Sequence, residues 1–129
     1  MCFKKDEAYY IPLQHINTEL KQLEIKHVLE RLKPFFEDSS FRWIAHNAKY
    51  DYQILVNHGI KIKNLYFDTM IASYLVDGDR HGHGLKDLSI RYLQKDKISF
   101  QEIVKGEGKT VLSFDQVSID VATNYCAKD

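Results

Sequence analysis

Two short stretches of this sequence carry side chains whose types and spacing suit chemistry. The first is Asn47-Ala48-Lys49-Tyr50-Asp51. Asn47 and Asp51 stand four apart, so on a helix they share one face. A carboxylate such as Asp51 suits a hard divalent cation, which prefers oxygen ligands. The plainer reading makes Asn47 a helix cap and Asp51 a solvated acid. The second stretch is Tyr125-Cys126-Ala127-Lys128-Asp129. Tyr125 and Asp129 have the same spacing. A metal-ligating carboxylate with a phenol one turn away to orient water suits metal-assisted hydrolysis. A half-buried Tyr beside a solvated Asp is equally ordinary.

Other candidates are weaker. Asp68, in Phe67-Asp68-Thr69, reads as a helix cap or a buried partner. His81-Gly82-His83 looks like a metal pair, but no further ligand stands at a familiar zinc spacing, so a polar loop is the expectation. Arg80 or His83 would suit a phosphate contact there. No P-loop, G-x-S-x-G or G-x-G-x-x-G pattern occurs, and Gly106-Glu107-Gly108-Lys109 reads as a turn. Nothing supports a nucleophilic Ser or Cys, and Cys126 reads as packing. His15, His27, His46 and His58 carry no spacing signal.

These residues need elements to hold them. Ala8–Leu13 reads as a strand, with Pro12 at its edge or exit. From Leu23, the apolar residues Ile25, Val28, Leu29, Leu32, Phe35 and Phe36 follow helical spacing, with Pro34 late in the helix. Phe41–Ala45 reads as a buried strand feeding Asn47, an expected N-cap for a helix to about His58, with Gly59 as its left-handed terminator. Leu65–Phe67 reads as another strand, followed by a helix capped by Asp68 or Thr69 and ending near Val76. This alternation implies an α/β layer with parallel strands. After a loop at 77–84, a helix should carry Leu85, Leu88 and Leu93 on its apolar side. A short helical turn from Phe100 to Val104 should end at Gly106. A last helix should start near Asp115 and carry Val117, Val121 and Tyr125.

Composition sets outer bounds. The chain has 129 residues, with 18 Lys and Arg against 18 Asp and Glu, and 44% hydrophobic residues. That is the balance of a globular chain, not a disordered one. No run approaches the ~20 apolar residues of a membrane-crossing helix, and the first residues lack the apolar stretch of a signal peptide. The expectation is a protein with no membrane partner. Cys2 and Cys126 read as reduced thiols of a cytoplasmic protein. Neutrality excludes a strongly basic coat but not a local nucleic-acid site.

Taken together, the segments resemble the 3′–5′ exonuclease domain of bacterial DNA polymerase I. The resemblance runs from about Tyr9 to Asp129. It is carried by Tyr10-Ile11-Pro12 with His15, and by Leu32-Lys33-Pro34-Phe35-Phe36-Glu37-Asp38. It continues through His46-Asn47-Ala48-Lys49-Tyr50-Asp51, Gly59-Ile60, Phe67-Asp68-Thr69-Met70 and Ser99-Phe100-Gln101-Glu102-Ile103. It closes on Tyr125-Cys126-Ala127-Lys128-Asp129. The resemblance implies a ribonuclease H-like three-layer α/β fold. It also implies four carboxylates that hold two divalent cations, Mg²⁺ or Mn²⁺, beside the 3′ end of single-stranded DNA. Asp51 would be the carboxylate of the second motif and Asp129 that of the third, and Tyr125 would orient the attacking water. Asn47 and Tyr50 would contact the terminal nucleotides, and Phe100 would pack near the strand end. The family's sister class has a histidine where this sequence has Asn124, so the chain resembles the tyrosine type.

One departure matters. The family's first motif, an Asp-x-Glu pair on the first strand, has no match here. Asp6 and Glu7 are adjacent and precede the strand that resembles the family's third. The expectation is therefore a partial exonuclease domain over residues 1–129. It would be N-terminally truncated and end in the last motif helix, with incomplete cation binding and little or no hydrolysis alone. Its natural partner would be the rest of a polymerase I-like chain. Two other readings stay open: a degenerate, non-catalytic module that binds nucleic acid, and a ribonuclease D-like RNA 3′ exonuclease.

Overall fold

A computed structural model describes residues 1–4, 7–16, 18–79, 81–105 and 111–128, with the backbone alone at residue 3. In chain order the elements are β1 (Cys2–Lys4), β2 (Glu7–Ala8), α1 (Ile25–Phe36), β3 (Trp43–Ala45) and α2 (Ala48–Asn57). Then follow β4 (Leu65–Asp68), α3 (Thr69–Val76), α4 (Leu85–Leu93), α5 (Phe100–Ile103), a 3₁₀ turn at Phe114–Gln116 and α6 (Ile119–Lys128). The expected α/β class is borne out. The chain divides into two compact units, one of Glu24–Leu88 and one of Met1–Leu23 with Ser89–Asp129. Four expectations lie outside the described residues: the Asp129 ligand, the Arg80 phosphate contact, the Gly106–Lys109 turn and Gly106 as the end of the helical turn from Phe100 to Val104.

In the Glu24–Leu88 unit, α1 buries Val28 and Phe36 from its apolar stripe. Pro34 sits in the last turn, where its missing N–H removes only one ladder bond, and Glu37 N–H closes the helix onto the Lys33 carbonyl at 3.0 Å. The Phe36 ring stacks on Trp43, with centroids 4.5 Å apart. β3 and β4 pair in parallel, as expected, aligning Trp43 with Leu65, Ile44 with Phe67 and Ala45 with Asp68. A parallel pair needs a crossover, and α2 supplies it.

The end of α2 also follows the sequence. Gly59 has φ +75°, its N–H bonds to Val56 O at 2.9 Å, and Ile60 N–H reaches back to Leu55 O at 2.9 Å. That pair of bonds is a Schellman motif, and the residue after the glycine, Ile60, is only 1% exposed. The expected buried strand at Phe41–Ala45 is corrected. It is only Trp43–Ala45, and Ile44 is 64% exposed. Among the described residues its sheet consists of β3 and β4 alone.

The other unit differs more from expectation. β1 and β2 form a short antiparallel pair, extended by reciprocal 2.8 Å bonds between Met1 and Tyr9. The strand expected at Ala8–Leu13 therefore stops at Ala8. Pro12 has no N–H to donate to a ladder. The core gathers Val104, Val117 and Ala122, with Tyr10, Ile103, Leu112 and Phe114 packed against it.

The last helix expected from Asp115 is broken in two. Ser113 and Gln116 form a capping box around the 3₁₀ turn, which ends at Val117 in an extended conformation (ψ 138°). Ser118 then restarts the chain as a helix, its carbonyl accepting Ala122 N–H at 2.9 Å. Val117 and Ala122 enter the core, whereas Val121 is 44% exposed. On α4, Leu88 is buried as expected but Leu93, in the last turn, is 63% exposed. α5 forms where expected, capped by a Ser99–Glu102 box. Among the described residues no helix is long and apolar enough to cross a membrane.

Candidate nucleic-acid interface

The carboxyl ends of β3 and β4 lead directly into the N-termini of α2 and α3, the end of an open α/β layer where ligands sit. Asp68 joins the two junctions. Its Oδ1 accepts N–H bonds from Met70 (2.8 Å), Ile71 (3.3 Å) and Asn47 (3.1 Å), and its Oδ2 accepts one from Ala48 (2.8 Å). One carboxylate thus caps α3, as expected, and α2 as well. Burial alone would raise its pKa. The bonds from Ala48, Met70, Ile71 and Asn47 outweigh that and hold it below the ordinary carboxylate value. Beside it, Thr69 Oγ1 donates to Ala45 O at 3.3 Å and lies 2.9 Å from His46 Nδ1.

The expected role of Asn47 needs correction. It stands at the N-cap position of α2, but its backbone is left-handed (φ 57°, ψ 45°) and its side chain makes no capping bond. A capping side chain works from an extended backbone, which Asn47 does not have, and Asp68 on the neighbouring strand holds the Asn47 and Ala48 amides. Asn tolerates this conformation better than most residues. Asn47 is therefore exposed, with Tyr50 (66% exposed) and Asp51 in the first turns of the same helix. The pKa of Asp51 is raised, first by partial burial of its carboxyl and then by the negative charge of Asp68.

The residues expected around Tyr125 lie in the other unit. Tyr125 is half-buried, and its ring is tilted against both Phe100 and Phe114, with centroids 6.4 Å away in each case. Phe100 and Phe114 stack at 6.0 Å. The structure thus brings Phe100 and Tyr125 together and adds Phe114. It also brings Asn47, Tyr50 and Asp51 together on α2.

The described residues do not fit a divalent-cation centre on their own. No group of three or more His, Cys, Asp and Glu gathers among them. Asp68, whose charge acts on Asp51, spends its oxygens on four backbone amides. The loop histidine His83 is also accounted for. It is buried, 2.8 Å from Ser73 Oγ and stacked on Tyr74. An imidazole beside an aromatic ring and a hydroxyl finds its partners inside the fold.

Sequence reasoning missed three residues. Asp68 was legible as a cap for one helix, but nothing local signals the second, 21 residues back. Phe114 carried no motif. His15 is buried between Tyr10 and Val117. Its Nδ1 lies 2.8 Å from the Val117 carbonyl and its Nε2 lies 2.5 Å from the Tyr10 hydroxyl. The carbonyl only accepts, so Nδ1 carries the proton and the Tyr10 hydroxyl donates to Nε2. Its proximity to Tyr10 in sequence was the available signal.

A parallel strand pair whose carboxyl ends present an Asn, a Tyr and an Asp agrees with what comparison with known proteins finds. A family model described as 3′–5′ exonuclease matches residues 1–129, and the chain belongs to that family. The relatives are more particular. DNA polymerase I of Rhizobium leguminosarum is 37% identical, covering 97% of this chain and 13% of that protein. DNA polymerase I of Pseudomonas aeruginosa is 36% identical, covering 98% of this chain and 14% of that protein. DNA polymerase I of Borreliella burgdorferi is 32% identical across the whole chain. The chain thus spans about 13% of the length of the curated relatives it matches.

Proposed function

We propose that residues 1–129 form one partial 3′–5′ exonuclease domain of ribonuclease H-like fold, which holds the 3′ end of single-stranded DNA. The observation that carries this is the display of Asn47, Tyr50 and Asp51 at the carboxyl end of β3 in a chain matched throughout by the exonuclease family. An exposed tyrosine offers a ring on which any base can stack, and an exposed amide reaches sugar or phosphate, so recognition is indifferent to sequence. The Phe100–Phe114–Tyr125 cluster offers a second aromatic surface.

Of the four carboxylates the family uses, this sequence offers two, Asp51 and Asp129. They are the proposed ligands for Mg²⁺ or Mn²⁺, and Tyr125 is the proposed water-orienting residue. Two such carboxylates are too few to offset two divalent charges, so we assign strand binding, and not hydrolysis, to the chain by itself. Its partner is the remainder of a polymerase I-like chain, which would supply proofreading in full. The compartment is the cytoplasm, where Cys2 and Cys126 stay reduced.

The test is fluorescence anisotropy of the 129-residue chain with a labelled oligodeoxythymidylate. Single strands should bind more tightly than the same oligonucleotide in duplex or an RNA counterpart. Tyr50→Ala should weaken binding about tenfold, the loss of one stacked base. No binding to the single strand, or equal binding to duplex, would refute the proposal.

A further inference from the structure

Asp68 lies outside the residues assigned to strand contact, yet it controls how they are presented. α2 has no side-chain cap of its own. Its first amide, Ala48 N–H, and the amide before it, Asn47 N–H, both donate to Asp68. The same carboxylate accepts the first free amides of α3. Two helix N-termini, each the positive end of a dipole, therefore converge on one negative charge. Both the Asn47 and Ala48 amides are drawn towards β4, and Asn47, the residue between them, is left-handed. Asn is otherwise among the best N-caps, and its default is an extended backbone with the side chain folded onto its own helix. A capping side chain takes the second or third helical amide from an extended backbone, and a left-handed Asn47 is outside that conformation, so its side chain makes no capping bond and the residue stays exposed.

We propose that Asp68 is a positioning residue for strand-end binding: by holding the Asn47 and Ala48 amides from the neighbouring strand, it keeps Asn47 left-handed and out of the extended capping conformation, so that its amide stays exposed to the nucleic acid with Tyr50 and Asp51 on the same helix. This rests on the strand-binding function proposed above. Without the Asp68 carboxylate, Asn47 returns to an extended conformation and caps α2 itself. The helix survives, but the amide is withdrawn from the surface.

Two readouts on the 129-residue chain test this. Backbone and Cβ chemical shifts of Asn47 distinguish left-handed from extended conformation. Anisotropy with labelled oligodeoxythymidylate gives affinity. In Asp68→Ala, Asn47 should leave the left-handed region and affinity should fall about tenfold, equivalent to about 1.4 kcal/mol. Ile60→Val, which loosens the buried far end of α2, should change neither. Should Asp68→Ala not fold, Asp68→Asn gives the same two readouts, because it retains one oxygen for α3 while turning an amide group against Ala48 N–H. A left-handed Asn47 in the variant that folds would overturn the inference, as would unchanged affinity once Asn47 has moved. If the parent chain fails to bind the oligonucleotide, the strand-binding reading falls, and the positioning role for binding falls with it. The Asn47 shifts then decide only whether Asp68 is what sets that backbone.

Discussion

Replacing Gly59 by Ala isolates a single backbone term. Gly59 has φ +75°, and a Cβ built there meets nothing within 4 Å. No clash contributes, so the destabilisation is the strain of an L-residue in the left-handed region, about 1–2 kcal/mol. Against this, Ala restricts the unfolded chain more than Gly, which returns about 0.4–1 kcal/mol. The net loss is about 1 kcal/mol, or roughly 3–5 °C in Tm for a chain between the usual size classes. Asn enters the left-handed region more readily, so Gly59→Asn should fall between parent and Ala. Urea and thermal unfolding followed by circular dichroism measure all three proteins. The urea slope should stay constant, because the buried surface does not change. Gly59→Ala as stable as the parent, or Gly59→Asn as damaging as Ala, would refute the reasoning and with it the terminator that seats Ile60.

Two further outcomes follow from the polar groups. His15→Ala should destabilise by about 3–5 kcal/mol, because it removes a buried ring and leaves the Val117 carbonyl and Tyr10 hydroxyl without their imidazole partner; a shift in the urea midpoint worth under about 1 kcal/mol would show that the node carries little. Asp51→Asn should stabilise the fold at neutral pH, by a few tenths of a kcal/mol after allowing for solvent screening. The sign follows from the raised pKa of Asp51: the folded state binds its proton more tightly, so the charged form opposes folding, and the parent regains stability as pH falls through that raised value. The difference between parent and variant should therefore close on acidification. Asp68, with its lowered pKa, acts oppositely: its contribution is present above the ordinary carboxylate range and is lost only at lower pH. A variant less stable than the parent at neutral pH would count against the crowding of these two acids.

Local signals in the sequence were accurate where the physics is local. The stripe of α1 and the glycine after α2 depend only on residues a turn or two apart, and both appeared in place. The parallel pairing of β3 with β4 followed from strand, helix and strand in succession. Failures arose where a distant partner decides. Asn47 has the chemistry of a cap and the position of one, but a carboxylate from the next strand takes its amides. Tyr10–Leu13 has strand composition but no ladder among the described residues. The late start of α6 reflects Ser113 with Gln116 and then Ser118, polar side chains that divide an otherwise helical run. Of the candidate site, the residues on α2 and the pairing of Phe100 with Tyr125 were legible, whereas Phe114 and the double role of Asp68 required coordinates.

The bond between His15 and Val117 joins residues 102 positions apart, and Ile16 N–H bonds to the Asp115 carbonyl beside it. The unit they stitch draws on both ends of the sequence, whereas Glu24–Leu88 is one unbroken stretch. Closing so long a loop carries an entropic penalty that shorter loops avoid. During synthesis the central stretch can therefore collapse while the ribosome is still adding residues. The segment with Tyr10 and His15 gains its Val117 partner only after Val117 has cleared the exit tunnel.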